Sequence, residues 1–233
     1  FGVSFLYGRT IKALQRAGRG EHARIAGVVT TAAEGGDEHH AADAYVLALG
    51  AYSAPLARTV GVNLPIYPAK GYSLTLPLED DDVAPTVSLT DEAHKIVFSR
   101  LGQRLRVAGT AELNGYDTSL NAVRCEALVA RTAQLFPRAG DRKLAQFWTG
   151  LRPATPSNVP IIGRSRLRNL YLDTGHGTLG WTLACGSGRA LADIVSGVAP
   201  EVDFPFVGLP ETLRRRPRAP AAPRGTRATQ PTE

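Results

Sequence analysis

A glycine-rich turn near the end of the sequence has the residue types and spacing that most clearly suggest chemistry. Residues 175–180 read Gly-His-Gly-Thr-Leu-Gly, which matches the pattern Gly-x-Gly-x-x-Gly. The turn follows a short apolar run at 170–173, which predicts a strand, and it precedes a helical pattern from 181 to 196. Glycines allow backbone amides to approach a ligand closely, and the N-terminus of a helix favours negative charge. This turn is therefore a candidate contact for an electron-rich ligand.

Three interpretations of the turn remain open from the residues alone. A complete dinucleotide-binding unit needs a second parallel strand after the helix and an acidic residue about 20 positions further on. The helical pattern instead ends near Gly197 and is followed by Pro200, Pro205 and Pro210. The turn is then either purely structural or in contact with a cofactor that other parts of the protein hold. The sequence favours the contact with a cofactor.

Other familiar catalytic arrangements are missing from the sequence. It contains no Gly-x-Ser-x-Gly motif and no His/Cys cluster with the spacing of metal ligands. Cys125 falls within a helical pattern, where we expect a buried structural thiol rather than a nucleophile. Cys125 and Cys185 are the only cysteines, which fits a reducing, cytoplasmic compartment. The residues therefore give no basis for a metal site or a general-base triad.

The elements that must position the turn are mostly short strands. Residues 44–49 are apolar enough to form a strand that is buried on both faces. Residues 119–136 have the clearest helical period, with Ser119 as the expected N-cap and Pro137 directly after the helix. The predicted strands are 3–7, 10–14, 24–31, 44–49, 71–76, 95–100, 104–108, 146–151 and 170–173, and the predicted helices are 54–60, 119–136 and 181–196.

The composition is that of a globular protein with an unevenly distributed charge. Of the 233 residues, 43% are hydrophobic, and no apolar run approaches the roughly 20 residues of a membrane-spanning helix. Residues 208–233 contribute +4 of the net charge of +6 and hold five prolines, so 207–233 is expected to be a disordered tail. The acidic run at 79–82 predicts a solvated loop. Because the positive charge is concentrated in the tail, it does not indicate nucleic-acid binding.

Four blocks of the sequence resemble the FAD-dependent D-amino acid oxidase family, and within it the bacterial D-amino acid dehydrogenases (small subunit). The blocks are Asp43–Ser53, Tyr67–Thr75, Trp148–Pro156 and Asn169–Thr182, and the resemblance runs from about residue 1 to about residue 204. The family's N-terminal strand–helix–strand unit, which carries its glycine motif for the FAD pyrophosphate, has no counterpart here. Since the sequence also begins at Phe1 and contains no methionine, we expect a C-terminal portion of a longer protein.

The resemblance implies an α+β fold with two parts. Residues 1–64 and 148–206 are expected to form an incomplete α/β FAD-binding portion. Residues 65–147 are expected to form the substrate-binding domain, a mixed antiparallel sheet with helix 119–136 across one face. Residues 207–233 depart from the family's usual ending.

The resemblance also implies an activity. Enzymes of this family oxidise the α-carbon of an amino acid by hydride transfer to flavin, and the imino acid then hydrolyses to a 2-oxo acid and ammonia. For this chain we expect FAD, a D-amino acid such as D-alanine, a respiratory-chain electron acceptor, and a peripheral position on the inner membrane. The alternative is an inactive, truncated substrate domain without bound flavin, which would lack flavin absorbance after purification.

Site residues follow from the same resemblance. Arg152 is expected to bind the substrate carboxylate through two parallel hydrogen bonds. Tyr72 and His94 either line the substrate cavity or have a structural role. His176 has an alternative role as a packed, hydrogen-bonded side chain, and Trp181 either packs in the core, which we favour slightly, or faces the cofactor. The expected cofactor contacts are Ile11, Gly50, Gly71, Gly175, His176, Gly177, Thr178, Leu179, Gly180, Trp181 and Thr182.

Overall fold

A computed structural model describes residues 2–32, 35–79 and 83–213. Most of the predicted acidic loop, residues 80–82, and most of the predicted tail, residues 214–233, lie outside this part of the chain. The strands are β1 (Thr10–Ala17), β2 (Arg24–Thr31), β3 (Asp37–His40), β4 (Tyr45–Leu47), β5 (Tyr67–Pro77), β6 (Leu89–Asp91), β7 (Ile96–Arg100), β8 (Arg104–Glu112), β9 (Gln146–Ala154), β10 (Ile161–Arg164) and β11 (Leu170–Thr174). The helices are α1 (Ser53–Thr59), α2 (Ala122–Leu135) and α3 (Gly180–Val195).

The largest sheet has five antiparallel strands in the order β6-β7-β8-β5-β9. Alternate residues of β5 and β8 point toward α2, and they form a core with Leu128 of that helix. Leu74 and Leu105 are fully buried in this core. The predicted antiparallel sheet with one covering helix is therefore confirmed. Strand β9 continues to Ala154, so the expected domain boundary at 147/148 falls inside a strand.

Two three-stranded sheets are built from the two ends of the chain. One has the order β1-β2-β3 and the other has the order β10-β11-β4, in which β11 and β4 run parallel. Residues from both ends share one core, in which Ile25, Leu47 and Leu170 are buried. Early and late segments of the sequence therefore fold together, as the resemblance implied.

Several local expectations differ from the structure. Residues 3–7 form no strand, and Val46 in β4 is 52% exposed, so β4 is buried on one face only. Helix α2 begins later than expected because the side chain of Asn121, not Ser119, accepts the hydrogen bond of its first turn, from the amide of Arg124. The amide of Ser119 instead donates to the Asp117 carboxylate at 2.9 Å.

Part of the expected disordered tail is ordered against β10. The amide of Arg164 donates to the carbonyl of Val207, and the amide of Val207 donates to the carbonyl of Ile162, both at 2.9 Å. The residue before them, Phe206, is buried in a third core with Ile162 of β10 and Leu191 of α3. The composition of the tail did not predict that this segment is ordered, because a few buried apolar side chains are enough to hold it against the sheet.

Candidate active site

Two opposed glycines shape one face of the five-stranded sheet. Gly71 of β5 pairs directly with Gly150 of β9, so neither presents a side chain on this face. A Cβ atom at Gly71 would overlap the guanidinium of Arg152, and one at Gly150 would overlap the ring of Trp148. Both long side chains therefore lie flat over glycine positions, which open a shallow seat on the sheet.

A cavity of about 250 Å³ lies over this seat. It brings together Gly71, Arg152, Pro153 and Gly177, which come from β5, from β9 and from the glycine-rich turn. The expected carboxylate-binding arginine and the expected cofactor-binding turn therefore border the same space. This juxtaposition is what the proposed site requires.

The Arg152 guanidinium lies in the cavity, and none of the acidic residues that the structure describes pairs with it. Its Nη1 is 3.5 Å from the carbonyl oxygen of Thr110, which is its one hydrogen bond within the described residues. Burial lowers the pKa of Arg152 from its ordinary value, because a partly buried cation loses hydration. An anionic ligand would restore the lost stabilisation, and a carboxylate matches the fork of the guanidinium.

The glycine-rich turn is fixed to the ends of β9 and β4. The amide of Gly177 donates to the carbonyl of Pro153 at 3.0 Å, and the hydroxyl of Thr174 donates to the carbonyl of Gly50 at 3.0 Å. Gly175 has φ +78°, and a Cβ atom there would lie 2.8 Å from the Thr155 methyl group. Glycine is required at this position by both backbone conformation and space. Gly50 therefore lies beside the turn.

The N-terminus of α3 is open in the described residues. Leu179 precedes the helix and supplies no side-chain cap for the first amides. Trp181 is 97% exposed, so the expectation that it packs in the core is wrong. A Cβ atom at Gly177 would meet no atom within 4 Å, which leaves space above the turn. Free amides, an exposed ring and open space suit the flat ring of a flavin, which carries negative charge when it is reduced.

His176 has a partner that the sequence did not reveal. Its Nε2 lies 3.3 Å from Oδ1 of Asp173, and both side chains are largely buried. The two atoms face each other without hydrogen-bond alignment and have no other partner in the described residues. Burial raises the pKa of Asp173, and the nearby imidazole opposes this rise. Asp173 and His176 are three positions apart in the sequence, and this spacing is the signal from which the pair could have been predicted.

Tyr72 borders the cavity through its position in β5, but its ring lies on the opposite face of the sheet. Neighbouring residues in a strand point to opposite faces, so Tyr72 points away from the face that Gly71 opens. Its hydroxyl donates to Glu112, which also pairs with buried Lys70 at 2.8 Å. The Glu112 carboxylate raises the pKa of Lys70, and Lys70 in turn lowers that of Glu112. Tyr72 therefore belongs to a buried charged cluster beneath α2.

Two other expected site residues lie away from the cavity. His94 is in the turn between β6 and β7, where its Nδ1 is 3.1 Å from the Asp91 carboxylate, and it is not among the residues that line the cavity. Ile11 lies on β1 and is 38% exposed, in a different sheet. His94 was assigned from its place in the sequence, which does not show that a hairpin carries it to the far edge of the sheet.

Comparison with known proteins places the chain in a family. A family model described as FAD dependent oxidoreductase matches residues 1–194. The chain belongs to this family. Its members use FAD, so the open turn and helix N-terminus have a cofactor that they fit.

Relatives in this family carry a more specific name. The chain is 59% identical over 206 residues to a D-amino acid dehydrogenase of Dechloromonas aromatica, which covers 88% of this chain and 48% of that protein. It is 52% identical over 202 residues to a D-amino acid dehydrogenase of Xanthobacter autotrophicus, at 87% and 46% coverage. The chain therefore spans about half the length of the curated relatives it matches.

Solved structures share the fold. Glycine oxidase from Geobacillus kaustophilus is 25% identical with a TM-score of 0.68, covering 86% of this chain and 52% of that one. Iminodiacetate oxidase from Chelativorans sp. BNC1 is 21% identical with a TM-score of 0.65, covering 84% and 50%. In the described residues, none of the helices has the length and apolar character that crossing a bilayer requires.

Proposed function

We propose that this chain supplies the substrate-binding part of an enzyme that oxidatively deaminates D-amino acids with FAD. The observation that carries the proposal is the unpaired, partly buried Arg152 in the same cavity as Gly177 of the glycine-rich turn. The names of the relatives at 59% and 52% identity support the D-amino acid as substrate.

The chemistry divides between cofactor and chain. When bound, FAD would supply the oxidant: it would accept a hydride from the α-carbon while the amino group releases a proton to solvent, and water would hydrolyse the resulting imino acid to a 2-oxo acid and ammonia. Arg152 binds the α-carboxylate and so fixes the α-carbon in one orientation. The amides at the N-terminus of α3 stabilise negative charge beside the turn.

The remaining assignments are part of the same proposal. Gly71 gives Arg152 its seat, and Gly50 and residues 175–182 contact the cofactor. Ile11 remains a predicted contact through its backbone. D-alanine is the expected substrate at the level of the family, and a respiratory-chain acceptor at the membrane surface is the expected electron sink.

The first test is flavin reduction by substrate. The protein that carries this chain is purified, and its visible flavin absorbance is followed without oxygen after D-alanine or L-alanine is added. We expect bleaching with the D-isomer only. A flavin-containing protein that no D-amino acid bleaches would contradict the proposal.

The second test is Arg152→Lys. Lysine keeps the charge but offers a point donor instead of a fork, so we expect the KM for the D-amino acid to rise about tenfold or more while flavin content is retained. Arg104→Lys is the matched control, because Arg104 is exposed at the start of β8 and does not line the cavity. An unchanged KM in Arg152→Lys would rule out the assignment.

A further inference from the structure

A large aromatic side chain borders the cavity beside Arg152, and the proposed reaction does not use it. Trp148 of β9 lines this cavity, and 59% of its surface is exposed. A ring that packs in a core is mostly covered, whereas this ring stands open on the wall of a cavity. Aromatic walls of this kind are common where small molecules bind. The ring is therefore available to a ligand.

The Trp148 ring extends along β9 toward Arg152. Its far edge lies over Gly150, two residues closer to Arg152, where a Cβ atom would overlap Cη2 of the ring. The Arg152 guanidinium lies over Gly71, and Gly71 and Gly150 are directly opposed in the sheet. Opposed residues present their side chains on the same face, so the ring edge and the guanidinium occupy neighbouring positions. A ligand whose carboxylate is held by Arg152 thus has the ring edge as a side wall.

The positions next to the ring carry small side chains. Ser73 of β5 pairs with Trp148 on one side and with Ala108 of β8 on the other. Ser73, Ala108 and Gly150 all line the cavity. The ring fills space that these small residues leave open. Its removal is therefore expected to enlarge the cavity beside Arg152.

Arg106 holds the ring from the far side of β5. Its Cζ lies 5.6 Å from the centroid of the Trp148 ring, which is a cation–π distance, and Arg106 lines the same cavity. An exposed indole has several rotamers open to it, and the attraction to a cation on one face favours the one observed. Arg106 thus acts on a ligand through the orientation of Trp148.

We propose that Trp148 limits the size of the side chain that the site accepts, with Arg106 as the positioning residue of its ring. The proposal deepens the proposed function and rests on it in one respect, because Arg152 takes the α-carboxylate. A methyl side chain clears the ring edge, whereas an aromatic side chain meets it. The site therefore favours D-alanine over D-phenylalanine.

The first measurement is binding without turnover. Propanoate and 3-phenylpropanoate share a carboxylate end and differ by one phenyl ring, and their affinities for the protein that carries this chain are measured by calorimetry. In Trp148→Ala we expect the affinity for 3-phenylpropanoate to rise about tenfold or more relative to that for propanoate, since one misfitting methylene group already changes discrimination by about this factor. Trp148→Phe, which has a smaller ring, is expected to give a smaller rise.

The second measurement concerns the positioning role. Arg106→Gln releases the ring but keeps it, so we expect part of the rise seen in Trp148→Ala. Arg106→Lys retains a cation for the ring and is expected to restore most of the original affinity ratio. Gln146→Ala and Arg104→Gln are the matched controls, because both residues are exposed on the same two strands and do not line the cavity.

The outcomes separate the possible failures. An unchanged affinity ratio in Trp148→Ala, or the same rise in Gln146→Ala, would overturn the proposal. With substrates, the ratio of kcat/KM for D-alanine to that for D-phenylalanine is expected to fall about tenfold in Trp148→Ala. If this ratio stays unchanged while dependence on Arg152 is retained, the size limit is wrong and the proposed reaction stands. If the two acids respond as expected but no D-amino acid reduces the flavin, the proposed function fails and the size limit stands.

Discussion

At the scale of single residues, the site depends on positions where a side chain is absent. Gly71 and Gly150 have no Cβ atom, and the space that this leaves allows Arg152 and Trp148 to lie flat on the sheet. The position of the Arg152 charge is therefore set by a neighbour on another strand as much as by Arg152 itself. This dependence can be tested without changing any charged residue.

Gly71→Ala is expected to displace the guanidinium. The new methyl group would occupy its place, and the flexible end of Arg152 can move away at little cost to folding. We expect the KM for the D-amino acid to rise about tenfold while the flavin remains bound, since the carboxylate loses its aligned hydrogen bonds. Steady-state kinetics and flavin absorbance measure both. Gly188→Ala, at an exposed position of α3 where an added methyl group meets no atom within 4 Å, is the control, and equal KM values in the two variants would refute the argument.

At the scale of elements, the hairpin β6–β7 is fastened to α2 by charge. The Asp91 carboxylate lies 2.5 Å from Nε of Arg131 on the helix and 3.1 Å from Nδ1 of His94. Arg131 is the main reason that the pKa of Asp91 falls from 3.8 to about 2, and hydrogen bonds from His94 add to it. The contact with Asp91 gives His94 a structural role, which is one of the two roles that the sequence left open.

Asp91→Asn tests this attachment through its pH dependence. Because the pKa is lower in the folded protein, Asp91 stabilises the fold above about pH 4, and the stabilisation is lost as the pH falls toward 2. We expect the variant to be less stable than the wild type at neutral pH and to match it near pH 2, measured by urea unfolding across this range. Glu92→Gln, at an exposed neighbour, should change little. A difference that persists unchanged at pH 2 would contradict this origin.

The elements also show what the sequence could and could not predict. Two periodic segments were predicted well, since β2 and α3 fall within one residue of their expected bounds. The longest strand, β5, was predicted only over 71–76. Strands β3, β6 and β10 were missed because three or four residues carry too little periodicity. Arg152 was predicted as a site residue because its motif is local. Arg106, which lines the same cavity, was not predicted, because its place beside Trp148 depends on how three strands align across the sheet.

At the scale of the whole molecule, the last ordered segment closes the third core. Phe206 is 9% exposed and packs with residues of β10 and α3, and Val207 extends the sheet by a bridge to Gly163. Phe206, the last residue of the expected FAD-binding portion, therefore supports the helix that begins at the glycine-rich turn, and Val207, the first residue of the expected tail, extends the sheet beside it.

Phe206→Ala should loosen this support. Removing a buried phenylalanine costs roughly 3 kcal/mol or more, so we expect a clear fall in the free energy of unfolding, measured with urea. Val202→Ala serves as control, because Val202 is 57% exposed in the same segment. Equal stability of the two variants would show that the segment adds nothing to the core.

The outer edge of β4 has a practical consequence. In the described residues β4 pairs only with β11, so one row of its backbone donors and acceptors faces outward beside the exposed Val46. Uncovered edges of this kind are templates on which identical chains stack. Because β4 is only three residues long, this border has room for one short additional strand and offers little template for extended stacking.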